Sequence, residues 1–120
     1  MFKISTRLAI LLKGIVIKIP LEHKGMLQGI NEKMIWEKYK DVAPLAELKC
    51  ECLGIVIQKR YKHVDHIPME EVDRIKAIIP EFQFENGDLW NYENWGIDED
   101  GNYILLDYGN SEYVASLYEI

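Results

Sequence analysis

The hydrophobic pattern changes period several times along the chain, and each change marks an element. Residues 6–12 and 15–19 are rich in Leu, Ile and Val and meet at Lys13-Gly14, where glycine in second place predicts a tight hairpin. In the second of these strands Ile15, Ile17 and Ile19 alternate with Val16 and Lys18. Both of its faces are apolar apart from Lys18, which predicts a central strand with one lysine aimed into the protein. Pro20 ends it.

Residues 25–40 change to a helical period. Leu27, Ile30 and Met34 form the predicted buried stripe, widened by Ile35 and Tyr39, with Glu32 at the Tyr39 edge. Gly29 weakens that helix by about 1 kcal/mol relative to alanine. Residues 44–49 and 53–60 predict two more strands around a turn or bend at Cys50–Cys52. Pro68–Ile79 is the clearest helix: Glu70 and Glu71 stand early, Arg74 and Lys76 late, and Pro80 stops it. Met69, Val72, Ile75 and Ile79 supply its expected buried stripe. Asp100-Gly101, between Gly96-Ile97 and Tyr103–Leu106, predicts a C-terminal hairpin, and residues 112–120 suit a strand or a short helix. The resulting order, β-β-α-β-β-α-loop-β-β, is that of a small α+β fold built on an antiparallel sheet with two helices.

The composition of the 120 residues fits a single globular domain over 1–120, with 48% hydrophobic and 28% charged positions. Cys50 and Cys52 stand too close along the chain to bridge each other comfortably, and without further ligands they make no zinc framework. A reducing, cytoplasmic setting is expected. The start, MFKISTRLAILLKGIVIKIP, is broken by Arg7, Lys13 and Lys18 and reads as neither a signal peptide nor a membrane helix. Charge is unevenly spread. The net value is −6, yet ten acidic residues and no lysine or arginine follow residue 80. Direct nucleic-acid binding through that third is disfavoured, whereas a cation site or a docking surface for a basic partner is possible.

Four features then stand in a suggestive order. Lys18 lies in a hydrophobic strand, and Glu32 follows on the next helix. Asp88 opens an irregular loop containing Asn91 and Asn94, and Asp107 follows a hydrophobic strand and precedes Tyr-Gly. His63, Asp65 and His66 form a further short cluster, but no third and fourth metal ligands accompany them.

This arrangement resembles the protein-kinase-like superfamily, in particular the abbreviated kinase-like proteins often encoded by phages. VIKIP resembles the strand with the phosphate-binding lysine, and GINEKMIWEKY the helix whose glutamate pairs with it. APLAEL and LGIVIQKRY resemble the two strands before the hinge, GDLWNYENWG the catalytic loop, and ILLDYG the metal-binding turn. The likeness covers about residues 12–110. It implies a cofactor site at Lys18 and Glu32, a catalytic base at Asp88, and magnesium ligands at Asn94 and Asp107, all serving Mg-ATP.

The departures from the family point away from catalysis. Only Gly14 precedes Lys18 within residues 1–17, so no glycine-rich loop covers a triphosphate, and Asn94 falls six residues after Asp88 where the family has five. Eleven residues follow Gly109, where the family carries a large substrate-binding lobe. The expectation is therefore a catalytically degenerate, phage-type kinase-like module that needs no cofactor. It would dock on a host or defence protein, such as a basic nucleic-acid-binding protein in the host cytoplasm, through Glu93, Trp95, Asp98, Glu99 and Asp100. The alternative expectation is a minimal Mg-ATP-dependent phosphotransferase.

Overall fold

The computed structural model describes residues 2–4, 6–82 and 87–109, with side chains described over 6–82 and 89–109. The expectation for residues 112–120, and the aromatic residues Tyr113 and Tyr118, lie outside the described residues. Strands β1 (Phe2–Ile4), β2 (Arg7–Leu11) and β3 (Ile15–Pro20) lead into helix α1 (His23–Tyr39). Next come β4 (Leu48–Cys52), β5 (Ile55–Lys59), the short β6 (Lys62–His63) and helix α2 (Met69–Ile78). Three 3-10 turns then lead to β7 (Trp95–Ile97) and β8 (Tyr103–Leu105). The α+β class is as expected; β1 and β6 are additions that the hydrophobic pattern did not signal.

All neighbouring strands pair antiparallel, in a five-stranded sheet ordered β1-β2-β3-β5-β4 and a three-stranded sheet ordered β6-β7-β8. β3 is central, as its composition predicts. The β2–β3 hairpin turns at Lys13-Gly14, with Gly14 at φ 81°. Between β4 and β5 the turn is not at the cysteines. Cys50 and Cys52 belong to β4, and Leu53-Gly54 turns the chain with both residues at positive φ, 52° and 87°. A two-residue loop of that geometry matches strand twist, and Leu53 bears the strain that a glycine would not.

α1 lies on the inner face of the five-stranded sheet, but rotated from the expected orientation. Its buried side is Gly25, Gln28, Gly29, Asn31, Glu32, Ile35 and Tyr39, while Ile30 and Met34 face outward and Leu27 is half-buried. Two glycines account for the rotation. A Cβ on Gly29 would lie 2.1 Å from the Gly54 carbonyl oxygen, and one on Gly25 would lie 2.2 Å from that of Thr6. The helix sits so close to the sheet that only these glycines permit the approach, and this carries Glu32 to the centre of the interface.

The main hydrophobic core continues from the C-terminal part of the same buried face of α1, where Ile35 and Tyr39 join Val72, Ile75 and Ile79 of the α2 region together with Phe82, Leu89, Trp95, Leu105 and Tyr108. Met69 does not join α2's buried stripe; it is 63% exposed, in the first turn where the helix starts after Pro68. Leu45 and Leu105 form a parallel bridge that ties the segment before β4 to β8. Among the described residues no helix is long and apolar enough to cross a membrane.

Gly29→Ala offers a test of the packing. On an exposed helix this change would stabilise by about 1 kcal/mol. Here the added methyl meets backbone, and overpacking of this kind costs about 1–3 kcal/mol. The urea midpoint is expected to fall; a rise would mean that α1 does not sit this close to the β4–β5 turn.

Candidate functional site

The centre of the interface between sheet and helix is ionic. Glu32, on α1, has no exposed surface. Its carboxylate accepts from both guanidinium nitrogens of Arg7 (2.9 and 3.1 Å) and from Lys18 Nζ (3.0 Å to Oε2). The backbone N–H of Tyr108 also donates to it, at 3.3 Å. Arg7 and Lys18 reach this point because both stand on the inner face of the sheet: Arg7 pairs across β2–β3 with Pro20, and Ala9 with Lys18. Lys18 is therefore aimed inward as its strand pattern predicts, with Glu32 as its ion-pair partner.

Asp107 follows β8 in a turn clamped against α1. Asn31 Nδ2 donates to the Gly109 carbonyl at 2.9 Å, and Gly109 lies so near the Gln28 backbone that a Cβ would fall 2.3 Å from its oxygen. The Leu106 carbonyl accepts from Lys18 Nζ (3.0 Å) and Gln58 Nε2 (2.9 Å), which pins the same turn to the sheet. The Tyr108 hydroxyl donates to the Ala46 carbonyl at 2.8 Å, and burial pushes its pKa up. Held this way, Asp107 receives Arg7 Nη2 at 2.9 Å. Arg7 thus bridges two carboxylates, and with Lys18 the four groups form a charge-balanced quartet.

The environment acts on these groups in opposite directions. Burial pushes the Asp107 pKa up, but Arg7 and then Lys18 outweigh it and hold the carboxyl at about 2, below its ordinary 3.8. Burial pulls the Arg7 pKa down, and Glu32 and Asp107 more than reverse this, so the guanidinium stays charged. Arg7 was not singled out from the sequence, since an arginine at the start of an amphipathic strand ordinarily extends its head into solvent.

Outside the quartet a cleft of about 490 Å³ opens between the inner sheet face and the loop before β7. Lys18, Asp107, Asn91, Glu93 and Asn94 line it, so three of the expected cofactor and metal residues converge there. Its walls carry five cationic residues, Arg7, Lys18, Lys24, Lys59 and Arg60, against two carboxylates, Glu93 and Asp107. Glu32 is shielded behind Arg7 and Lys18. Asp88 lies on a 3-10 turn, Gly87–Trp90, and its side chain is outside the described residues.

The donor set does not suit a divalent cation. Asp107 already serves Arg7, whose guanidinium would face any ion bound at that carboxylate, and Asn91 Oδ1 accepts from the Glu93 N–H to cap its own turn. Among the described residues no group of three His, Cys, Asp or Glu side chains could hold a metal. His66 and Asp65 contact each other on the surface.

The expected partner surface needs one correction. Trp95 is fully buried, with its indole N–H donating to the Leu89 carbonyl at 2.9 Å, so it belongs to the core and cannot meet a partner. Trp90 and Tyr92 are the exposed aromatics of that segment. Glu93, Glu99 and Asp100 are exposed, and Glu99 lies 3.6 Å from Lys59. The Asp98 carboxylate accepts from the N–H groups of Asp100 and Asn102, both at 2.9 Å, and so acts as a turn former. The chain matches no protein-family model, no curated protein and no solved structure.

Two outcomes are expected at the quartet. Glu32→Gln leaves Arg7 and Lys18 buried without their shared carboxylate, a loss of about 3–5 kcal/mol in denaturant unfolding. Asp107→Asn costs less, because its side chain is 34% exposed. Because the folded pKa of Asp107 is depressed from 3.8 to about 2, its contribution is present above pH 4 and is lost as pH falls from about 4 to about 2. Thermal melts across that window should show a shallower decline for Asp107→Asn than for the unaltered chain.

Proposed function

We propose that the chain is a kinase-like scaffold that acts by binding a protein partner, not by transferring a phosphoryl group. The observation that carries this reading is the Arg7 bridge. Phosphoryl transfer relies on a lysine–glutamate pair for the phosphates and a separate carboxylate free to hold magnesium. Here the pair exists, at 3.0 Å, but Arg7 ties the glutamate and the second carboxylate together. The arginine supplies within the fold the positive charge that a metal would bring. Such an arrangement favours a rigid support over a reaction centre.

The docking surface in this reading is the exposed acidic and aromatic segment around Trp90, Tyr92, Glu93, Glu99 and Asp100. It suits a basic protein, including one that normally engages nucleic acid, with carboxylates taking the place of phosphates. In this reading, which rests on the phage-type resemblance, the partner is a host or defence protein in the cytoplasm. Charge reversal of Glu93, Glu99 and Asp100 should then abolish a salt-sensitive association while leaving the melting temperature nearly unchanged.

A second reading, a Mg-ATP-dependent phosphotransferase, draws on the convergence of Lys18, Asn94 and Asp107 on one cationic cleft. Melting with and without Mg-ATP separates the two. Nucleotide at about 100 times its dissociation constant adds about 2.7 kcal/mol, several degrees in a domain of this size. No shift is expected, together with no release of the terminal phosphate. A shift that Asp107→Ala removes would replace the binding reading with the enzymatic one.

A further inference from the structure

At one end of the cleft, buried donors outnumber the acceptors that the chain supplies. A guanidinium carries five N–H groups. Arg7 donates three of them, one each from Nη1 and Nη2 to Glu32 and a second from Nη2 to Asp107. Its Nε–H and the other Nη1 N–H meet no acceptor among the described residues, although Arg7 is only 6% exposed. Gln28, on α1, is in the same position. Its Oε1 accepts from the Thr6 hydroxyl, while its Nε2, on a residue 8% exposed, donates to no acceptor among the described residues. Lys18 differs, because Glu32 and the Leu106 carbonyl already take up its ammonium. Thr6, Arg7, Lys24 and Gln28 all line the cleft.

Buried donors in proteins are nearly always met by protein, water or ligand. We infer that this end of the cleft is a metal-free site for a phosphate group, either the free ion or the terminal group of a small phosphate ester. Three observations select an oxyanion. First, each of the open groups is an N–H donor, and donors of the guanidinium and amide type bind oxyanions strongly. Second, the local charge is positive. Lys24 stands one turn before Gln28 on the same face of α1, and the first turn of that helix holds no acidic residue, so its cation adds to the positive end of the helix dipole. Third, the donors come from three directions, with Arg7 on β2 and Lys24 and Gln28 on successive turns of α1. A tetrahedral phosphate offers oxygens to all three, whereas a planar carboxylate offers two. Asp107 opposes an anion, but it is held on Arg7 Nη2, and the open Nη1 donor lies on the other terminal nitrogen.

The rest of the cleft leaves space for the body of an ester. Its floor runs along β2 from Arg7 through Ala9 to Leu11, about 13 Å, and Val16 pairs with Leu11 at the far end. The cleft's volume of about 490 Å³ is within the usual range for small-molecule sites. In the kinase-like reading phosphates meet Lys18 and magnesium. Here they meet Arg7, Lys24 and Gln28 with no metal, and the acidic docking surface takes no part.

Titration of the full chain with inorganic phosphate, in EDTA and at constant ionic strength, tests this through the Arg7 Nε–H and Gln28 side-chain amide signals in nitrogen-15 NMR spectra. A saturable shift of both is expected over about 0.1–50 mM, the range of a small ion held by a few contacts. Gln28→Met removes a hydrogen bond to a charged group and should weaken binding about 10-fold, and Lys24→Met should do about the same. Lys49→Met, an exposed position on β4, should leave it unchanged. If Gln28→Met fails to fold, Lys24→Met decides, since Lys24 is half-buried at the rim. Glycerol phosphate separates the two sources: binding tighter than that of inorganic phosphate marks an ester, and weaker binding marks the free ion. No saturable shift, a shift that both methionine variants of α1 leave intact, or binding that appears only with added magnesium would overturn the inference.

Discussion

A carboxylate with no exposed surface can remain ionised inside a protein only if its surroundings replace the water it lost. Glu32 is in that position, and Arg7, Lys18 and the Tyr108 N–H provide the replacement. Each donor comes from a different part of the chain, namely β2, β3 and the turn after β8. To satisfy this one group the fold must bring together segments separated by up to 76 residues. The positions of Gly25 and Gly29 follow from it, because a helix standing farther from the sheet would leave the carboxylate short of its partners. So does the clamped turn at Leu106–Gly109, which closes the polar layer from below.

Such a layer is an expensive centre for a small protein. Removing ions from water costs several kcal/mol each, and replacing a buried ionic cluster with apolar side chains often leaves a protein equally or more stable. The hydrophobic stabilisation must then come from elsewhere, and it does. Val72, Ile75, Ile79, Trp95 and Leu105 are fully covered in the core beyond Ile35 and Tyr39 of α1. The chain therefore keeps the ionic layer despite its cost. This is the expected pattern for a fold whose polar interior was shaped by something other than stability.

The sequence disclosed the strands other than β1 and β6, both helices and the hairpins at Gly14 and Gly101, because periodicity and turn chemistry are local; it placed the β4–β5 turn at the cysteines and not at Leu53-Gly54. It disclosed Lys18 for the same reason, as a single cation in an otherwise apolar strand. The face of α1 was misread: Leu27, Ile30 and Met34 make the more apolar stripe, and only the two glycines one turn apart hint that the other side carries the close contact. Arg7 was missed because nothing local distinguishes it from an exposed strand-end arginine, and its two carboxylate partners lie 25 and 100 residues away. Trp95 was misplaced because aromatic density marks a binding surface and a core alike. Packing and pairing between elements decide all three, and they leave no periodic trace.

Strand alternation adds a final constraint. Delivering Arg7, Lys18 and Gln58 to the inner face obliges residues 8, 10, 17, 19 and 57 to point outward, but it does not oblige them to be aliphatic. An antiparallel sheet with one face in water ordinarily carries polar residues there. Here the outward positions are Leu or Ile, each half-buried, in three adjacent strands. The site does not explain that choice, since none of these residues reaches it, and the fold does not need it, since none joins the main core.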